Sequence, residues 1–284
     1  MAIQRDLHEE NRRSWNEATR AHNSHKADQA GFLRGGGSTL FSDEIELLGD
    51  ISGKTLLHLQ CNAGQDTLSL AGLGAKVTGV DISDEAIDFA RKLSEDSGIP
   101  GTFERADVLD WLPEAAAAGR RFDIVFVSYG AIYWLSDIKA WAEGIAGVLA
   151  PGGRLVMIEF HPLGIFDDDW NIVYDYAFGG KHYRDEEGVN DYVSRSGEAL
   201  APGGYSEGET KFSNPHPAHA FDWNLGDVVT ALIEAGLRIE LVREYPYSNG
   251  DKIYPRMREL PGNRFASPDG MPELPFMFAV TASR

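Results

Sequence analysis

Hydrophobic and polar positions change period several times along this chain, and the changes mark its elements. In KTLLHLQCNAGQDTLSLAGLGAKVTGVD (54–81), Leu56, Leu57 and Leu59 make a short apolar strand. A polar loop, Gln60 to Gly64, follows, and Gln65 to Leu73 then has helical spacing. Lys76 to Val80 alternates back into a strand that ends on Asp81. The pattern predicts a βαβ unit. Ser83 to Gly98 reads as a capped helix facing the sheet with Ala86, Ile87, Ala90 and Leu93. Phe103 to Asp107 ends a third strand in a carboxylate, and Phe122 to Ser128 is the continuous apolar run of a central parallel strand. Ser136 to Leu149 is a helix with Ile138, Trp141, Ile145 and Val148 on one face, and LAPGGRLVMIEF turns into a fifth strand.

The rest of the chain is less regular. Residues 1–50 are polar and read as a helical cap, with a helix from His8 to Lys26, Trp15 as its isolated apolar anchor, and a GGGSTLF turn into another short helix. About sixty residues, Pro162 to Asp222, separate the fifth strand from the next helix; that is too long for an ordinary loop and reads as a lid. Within it, FDDDWNIVYDYAFGGKHY suggests a short amphipathic helix or strand pair with exposed aromatics. Asn224 caps a helix with Asp227 three residues on, Val228, Leu232 and Ile233 on its buried face and Gly236 at its end. Leu237 to Arg243 is a sixth strand, Tyr245 to Pro275 a Pro/Gly-rich excursion, and Phe276 to Ser283 a last strand.

The loop after the first strand of such a unit is where a doubly wound sheet holds an adenosine-containing cofactor, and Asp81 stands where a carboxylate accepts from both ribose hydroxyls. A dinucleotide needs a pyrophosphate on the helix N-terminus. Here Asp66 enters that helix, no Lys or Arg occurs between Thr55 and Ala75, and the loop has one glycine, Gly64, where a dinucleotide fingerprint has three. A carboxylate at that place repels phosphate but tolerates the zwitterion and sulfonium of S-adenosyl-L-methionine.

From Lys54 to Phe160 the order of these segments, with LAPGGRLVMIEF the most specific piece, resembles the class I S-adenosylmethionine-dependent methyltransferases of the small-molecule bacterial kind. The resemblance implies an α/β fold, a doubly wound, mostly parallel seven-stranded Rossmann-like sheet, with the last strand antiparallel. On this reading residues 51–284 form the catalytic domain, with a lid at 162–222, and the N-terminal segment covers the cofactor. The resemblance also implies Gln60, Asn62, Gly64 and Gln65 beside the methionine and ribose, Asp81 on the ribose and Ile82 against the adenine. Asp107 would accept from the adenine amino group, Val108 pack on the ring, and Ser128 lie near the methionine end. The chain departs from the family at His58, where an acid is usual, and at Gln60 and Asn62, where glycines are usual.

Charge and composition narrow the partners. A formal charge of −18 over 284 residues, with no basic stripe, argues against nucleic acid. No window approaches a membrane span, and the charged start MAIQRDLHEE lacks the apolar core of a secretory signal. Cys61 is the only cysteine, which fits a cytoplasmic setting and a packing role in the loop. The spacing of His216 and His219 suits a helical metal pair, but Pro215 and Pro217 argue against a helix there, so no metal site is expected.

Methyl transfer from a sulfonium mainly requires alignment and exclusion of water, with a base only for a protonated acceptor. His161, directly after the fifth strand, is the positional candidate for a base. Tyr129 and Tyr133, after the fourth, are candidates for an aromatic wall or a sulfonium contact. The nitrogen, oxygen or carbon identity of the acceptor is not written in the chain. Two other readings compete: a cofactor-binding protein of this fold with pericyclase-type or regulatory function, and a nicotinamide-dependent oxidoreductase. The lid aromatics Trp170, Tyr174, Tyr176, Phe178 and Tyr183 would line an acceptor pocket or, alternatively, bury a homodimer interface.

Overall fold

The computed structural model describes residues 2–176 and 178–284. Three helices open the chain: α1 (Arg5–Ser24), α2 (Gln29–Arg34) and α3 (Ser42–Leu48). The βαβ unit follows as β1 (Thr55–Leu59), α4 (Gln65–Gly72) and β2 (Lys76–Asp81), then α5 (Asp84–Ser97), β3 (Thr102–Arg105), α6 (Val108–Ala117), β4 (Phe122–Val127), α7 (Ile138–Val148) and β5 (Leu149–Phe160). The insertion contributes β6 (Lys181–Asp185), α8 (Tyr192–Ser196) and β7 (Ala218–Asp222). The chain closes with α9 (Leu225–Glu234), β8 (Arg238–Tyr245), β9 (Ser248–Asn249), β10 (Arg258–Leu260), β11 (Arg264–Ala266) and β12 (Met277–Ser283).

Seven strands form one sheet in the order β3-β2-β1-β4-β5-β12-β8. β12 runs antiparallel to both of its neighbours, and the other pairings are parallel. The near-continuous apolar strands are buried on both faces: Leu56, Leu57, Val125, Phe126, Val156 and Ile158 are all fully buried. The capping signals hold, although Ile233, expected on the buried face of α9, is exposed and Ala231 takes its place beside Val228 and Leu232. Ser83 accepts from the Ala86 amide to cap α5, Gly98 ends it in a left-handed conformation, and Asn224 and Asp227 form a reciprocal capping box on α9.

Two segments differ from their sequence signals. Of the stretch from Phe166 to Tyr183, the described residues form no helix; Phe166 bridges Ile172, and only its last three residues, Lys181 to Tyr183, enter a strand, pairing as part of β6 with β7. Polarity on α1 is not solvation. Its buried residues are His8, Asn11, Ser14, Ala18, Thr19, Ala21 and His22. The Asn11 side chain donates to the His219 carbonyl at 2.8 Å and accepts from the His219 amide at 2.6 Å, pairing with β7 as a neighbouring strand would. Ser14 Oγ accepts from the Val189 amide, and His22 Nε2 meets the Asn190 carbonyl. The helix therefore fastens the insertion to the sheet through polar side chains whose partners are backbone groups.

Candidate active site

The C-terminal tips of β1 to β5 open into one cavity of about 1090 Å³, roofed by α1, α2 and the insertion. Gln60, Asn62, Gln65, Asp81, Ile82, Asp107, Val108, Ser128, Tyr129, Tyr133 and His161 all line it. Gly64 is fixed by shape: its φ is +80°, and a Cβ there would lie 2.6 Å from Ala90 Cβ.

The two non-glycine loop residues adopt the backbone that glycine favours. Gln60 has φ 53° and Asn62 has φ 47°. Each side chain makes a hydrogen bond, a local one for Asn62 and a long-range one for Gln60. Asn62 Oδ1 accepts from the Ala63 amide at 2.6 Å, and Gln60 Nε2 donates to the Ala131 carbonyl at 2.6 Å. Gln60 thus couples the loop after β1 to the loop after β4.

Asp81 is nearly buried and receives backbone donors on both oxygens, the Asn62 amide on Oδ2 and the Ser83 amide on Oδ1, each at 2.8 Å. Burial pushes its carboxyl up to about 6 against those donors. Asp107 caps α6 by accepting from the Leu109 amide at 2.9 Å, and its Oδ2 lies 2.6 Å from His8 Nδ1. Since the Ser136 amide donates to His8 Nε2, the imidazole proton sits on Nδ1 and points at Asp107. A helix from the far end of the sequence therefore shares the carboxylate at the tip of β3.

His58 occupies the sheet interior. Its ring lies 2.8 Å from Thr67 Oγ1 and 3.3 Å from Ser128 Oγ, and burial pulls its pKa down to about 3, so it is neutral. The buried acid of this edge is on β5 instead. Glu159 accepts from the amides of Gly130, Ala131, Ile132 and Phe160, and burial raises its carboxyl to about 7. No spacing in the sequence marks Glu159 out; it emerges only where the β4 loop folds back over β5.

The three candidates for chemistry sit in different surroundings. His161 Nε2 lies 2.9 Å from Glu244 Oε1 on the outer strand β8, its Nδ1 is buried without a hydrogen-bond partner, and burial lowers its pKa. Tyr129 accepts from Asn249 Nδ2 at 2.9 Å and lies beside Glu44; burial raises its pKa strongly. Tyr133 is the open one, 45% exposed, with its phenol pushed up to about 12 by burial and by Asp222, Asp185 and Tyr183. Of the insertion aromatics, Tyr174 and Tyr183 line the cavity, whereas Trp170 packs with Tyr254, Phe265 and Phe276 and donates to the Pro255 carbonyl. The excursion after β8 needs a core of its own, and Trp170 supplies it.

Cys61 is buried, its thiol held protonated by burial and by Asp81. Gly79 leaves it room, since a Cβ there would lie 2.7 Å from Sγ. His219 reaches Glu10 and His182, and no cluster of three metal-ligating side chains occurs among the described residues.

The sequence profile of the family described as "Methyltransferase domain" matches residues 56–153. The match covers about a third of the chain, the segment that carries β1 to the start of β5, and makes that segment similar to the S-adenosylmethionine-dependent methyltransferases. The methyl donor of this family is S-adenosyl-L-methionine. The demethylmenaquinone methyltransferase of Thermus thermophilus is 35% identical over 120 residues, 42% of this chain and 52% of that protein. The S-adenosyl-L-methionine-dependent Diels-Alderase iliD of Neonectria sp. is 29% identical over 126 residues, 43% of this chain and 46% of that protein. The chain thus spans about half the length of these curated relatives. An S-adenosylmethionine-dependent methyltransferase from Mesorhizobium loti shares the fold, with a TM-score of 0.53 and 20% identity over 88% of this chain and 99% of that one. No helix among the described residues is long and apolar enough to cross a membrane.

Proposed function

We propose that this protein transfers the methyl group of S-adenosyl-L-methionine to a small-molecule acceptor enclosed between the sheet edge and the 162–222 insertion. One observation carries the reading: a single cavity joins the Gln60–Asp81 loop region to Tyr133, Tyr174 and Tyr183. At about 1090 Å³ it lies just above the range of roughly 300–1,000 Å³ for one ligand, which suits a cofactor and an acceptor together.

In this reading Gln60, Asn62, Gly64 and Gln65 surround the methionine and ribose. Asp81 accepts from the ribose hydroxyls, Ile82 and Val108 sandwich the adenine, Asp107 accepts from its amino group, and Ser128 lies near the methionine. Attack on the methyl carbon is in line with the departing sulfur, so the protein's task is alignment in a cavity that excludes water. Tyr133 and Tyr129 shape the wall near the methyl. His161, oriented by Glu244, takes a proton only from an acceptor that arrives protonated. Residues 1–50 act as a cap on a catalytic domain of 51–284. The acidic charge and absence of a basic stripe leave no role for nucleic acid, and the single cysteine fits the cytoplasm. Exposed Ile172, Val173, Tyr174 and Phe178 also suit a homodimer contact at the lid.

Incubation with methyl-labelled S-adenosyl-L-methionine and a metabolite extract tests this directly: label should move to a small molecule with release of S-adenosyl-L-homocysteine. The similarity to a Diels-Alderase favours a second reading, in which the bound cofactor is retained and the cavity promotes a pericyclic step. Cofactor binding with no transfer of label, and with conversion of a polyene substrate, would select that reading.

A further inference from the structure

Glu44 is a buried acid with no task in the reading above. It stands in the first turn of α3, and its Oε2 accepts from the Phe41 amide to close the start of that helix. Its Oε1 makes no hydrogen bond, although the residue is only 1% exposed. Asp43, its neighbour in the same turn, is by contrast satisfied: Arg264 donates to its Oδ2 at 2.6 Å and Asn249 Nδ2 at 3.1 Å. Burial, with Asp66 nearby, pushes the Glu44 carboxyl well above the ordinary carboxylate range. A buried carboxyl oxygen without a donor costs free energy; a cation beside it offsets that cost and favours the ionised form.

The surroundings of Glu44 suit such a cation. Glu44, Phe41, Tyr129 and Phe160 all line the cavity. The Tyr129 ring lies 5.2 Å from that of Phe160 and 6.3 Å from that of Phe41, so the carboxyl sits beside a run of three aromatic rings. Aromatic rings attract ammonium groups. Other lining groups ask for the same chemistry. Gln60 Oε1 and His161 Nδ1 also lack hydrogen-bond partners. Gln60 uses its Nε2 on the Ala131 carbonyl, and His161 holds its Nε2 against Glu244, so each is left with a lone pair that only a donor satisfies. The Lys and Arg side chains of the lining are already engaged: Arg184 with Glu186, Arg195 with Asp251, and Lys26 in the field of Asp66. Among the described residues of the lining, no Lys or Arg is left over for an anionic acceptor.

We propose that the acceptor carries an ammonium group and that Glu44 is the carboxylate that recognises it, among the rings of Phe41, Tyr129 and Phe160. This rests on the methyl-transfer reading above and adds the chemical class of the acceptor, an amine-bearing molecule. It also gives the N-terminal helices a share in acceptor selection, since Glu44 reaches the cavity from α3. Neutral molecules of the same shape bind less well because they leave the carboxyl unpaired, and anionic ones are repelled by Glu44 and Asp66.

Methyl-labelled S-adenosyl-L-methionine and a metabolite extract split on a cation exchanger at pH 7 test the class. Label should move to molecules of the retained pool. N-acetylation of that pool removes its ammonium charge and should lower transfer at least tenfold. Glu44→Gln keeps an oxygen for the Phe41 amide and removes the carboxylate. It should raise the apparent KM for the retained pool at least tenfold, while calorimetry finds S-adenosyl-L-homocysteine affinity within about twofold of wild type. Transfer confined to the unretained pool would overturn the amine assignment and leave methyl transfer standing. Weakened S-adenosyl-L-homocysteine binding in Glu44→Gln would move Glu44 to the cofactor and overturn its role here, and an unchanged KM would overturn that role as well. Absence of transfer to either pool would overturn the methyl-transfer reading itself, and the amine assignment with it.

Discussion

The Asn62 amide donates to Asp81 Oδ2 at 2.8 Å, tying the loop after the first strand to the acid at the tip of the second. Asp81 is therefore both a proposed ribose ligand and the fastening of its own loop. Asp81→Ala should cost stability, about 1–3 kcal/mol for buried amides left unpaired, and weaken S-adenosyl-L-homocysteine more than tenfold. Urea denaturation measures the first effect and calorimetry the second. Lost stability with unchanged affinity would leave Asp81 as a loop fastener only.

Asn62→Gly tests whether the loop needs a side chain at its left-handed turn. Glycine adopts φ near 47° without the steric cost that a side chain carries, but gives up the bond to the Ala63 amide. The two effects oppose each other, so stability should change by less than about 1 kcal/mol. Affinity for the cofactor should stay within a few-fold. Loss of binding would show the Asn62 amide group to be a required ligand. Gln60→Gly, by contrast, severs the link to Ala131 and should lower turnover more than cofactor affinity.

His58 makes the fold acid-sensitive. Its folded pKa, about 3, lies below the unfolded value of 6.5, so in that window the unfolded chain holds the extra proton. The stabilising contribution is present above that window and is lost as pH falls through it. The stability difference between the wild type and His58→Gln should shrink by roughly 1.4 kcal/mol per pH unit below about pH 6. Urea titrations at pH 7, 6 and 5 give the slope. A constant difference would mean that burial does not keep this histidine neutral.

Asp107→Ala should remove the α6 cap at a cost of about 1 kcal/mol and weaken cofactor binding less than Asp81→Ala, because His8 already occupies one of its oxygens. His8→Ala should have the opposite bias, lowering stability while leaving Asp107 to the adenine. Calorimetry on both variants decides. An equal loss of affinity from each would place the pair, and not the carboxylate alone, against the cofactor.

Tyr133→Phe removes a phenol on the open side of the cavity. Once an acceptor is known, it should alter the acceptor KM or kcat by several-fold and leave S-adenosyl-L-homocysteine affinity unchanged. A shift in cofactor affinity alone would move Tyr133 to the methionine end.

The sequence by itself determined the sheet and its loop. Strand and helix periods are local properties, and Asp81, Gly64, Asn62 and the caps on α5 and α9 follow from backbone needs within a few residues of each position. That is why the βαβ unit, the last strand and the candidate cofactor loop are legible in the sequence. Tertiary structure decided the rest, for a physical reason. A polar side chain announces a hydrogen bond but not its partner. Asn11, Ser14 and His22 look like the wet face of a surface helix, yet they are buried against insertion backbone more than one hundred residues away in the chain. Trp170 looks like pocket wall and is core, since the excursion it packs against arrives only after β8. Lys26 and Asp66 are forty residues apart with no shared motif, and only the packing of the N-terminal helices against the sheet edge brings their opposite charges into one field.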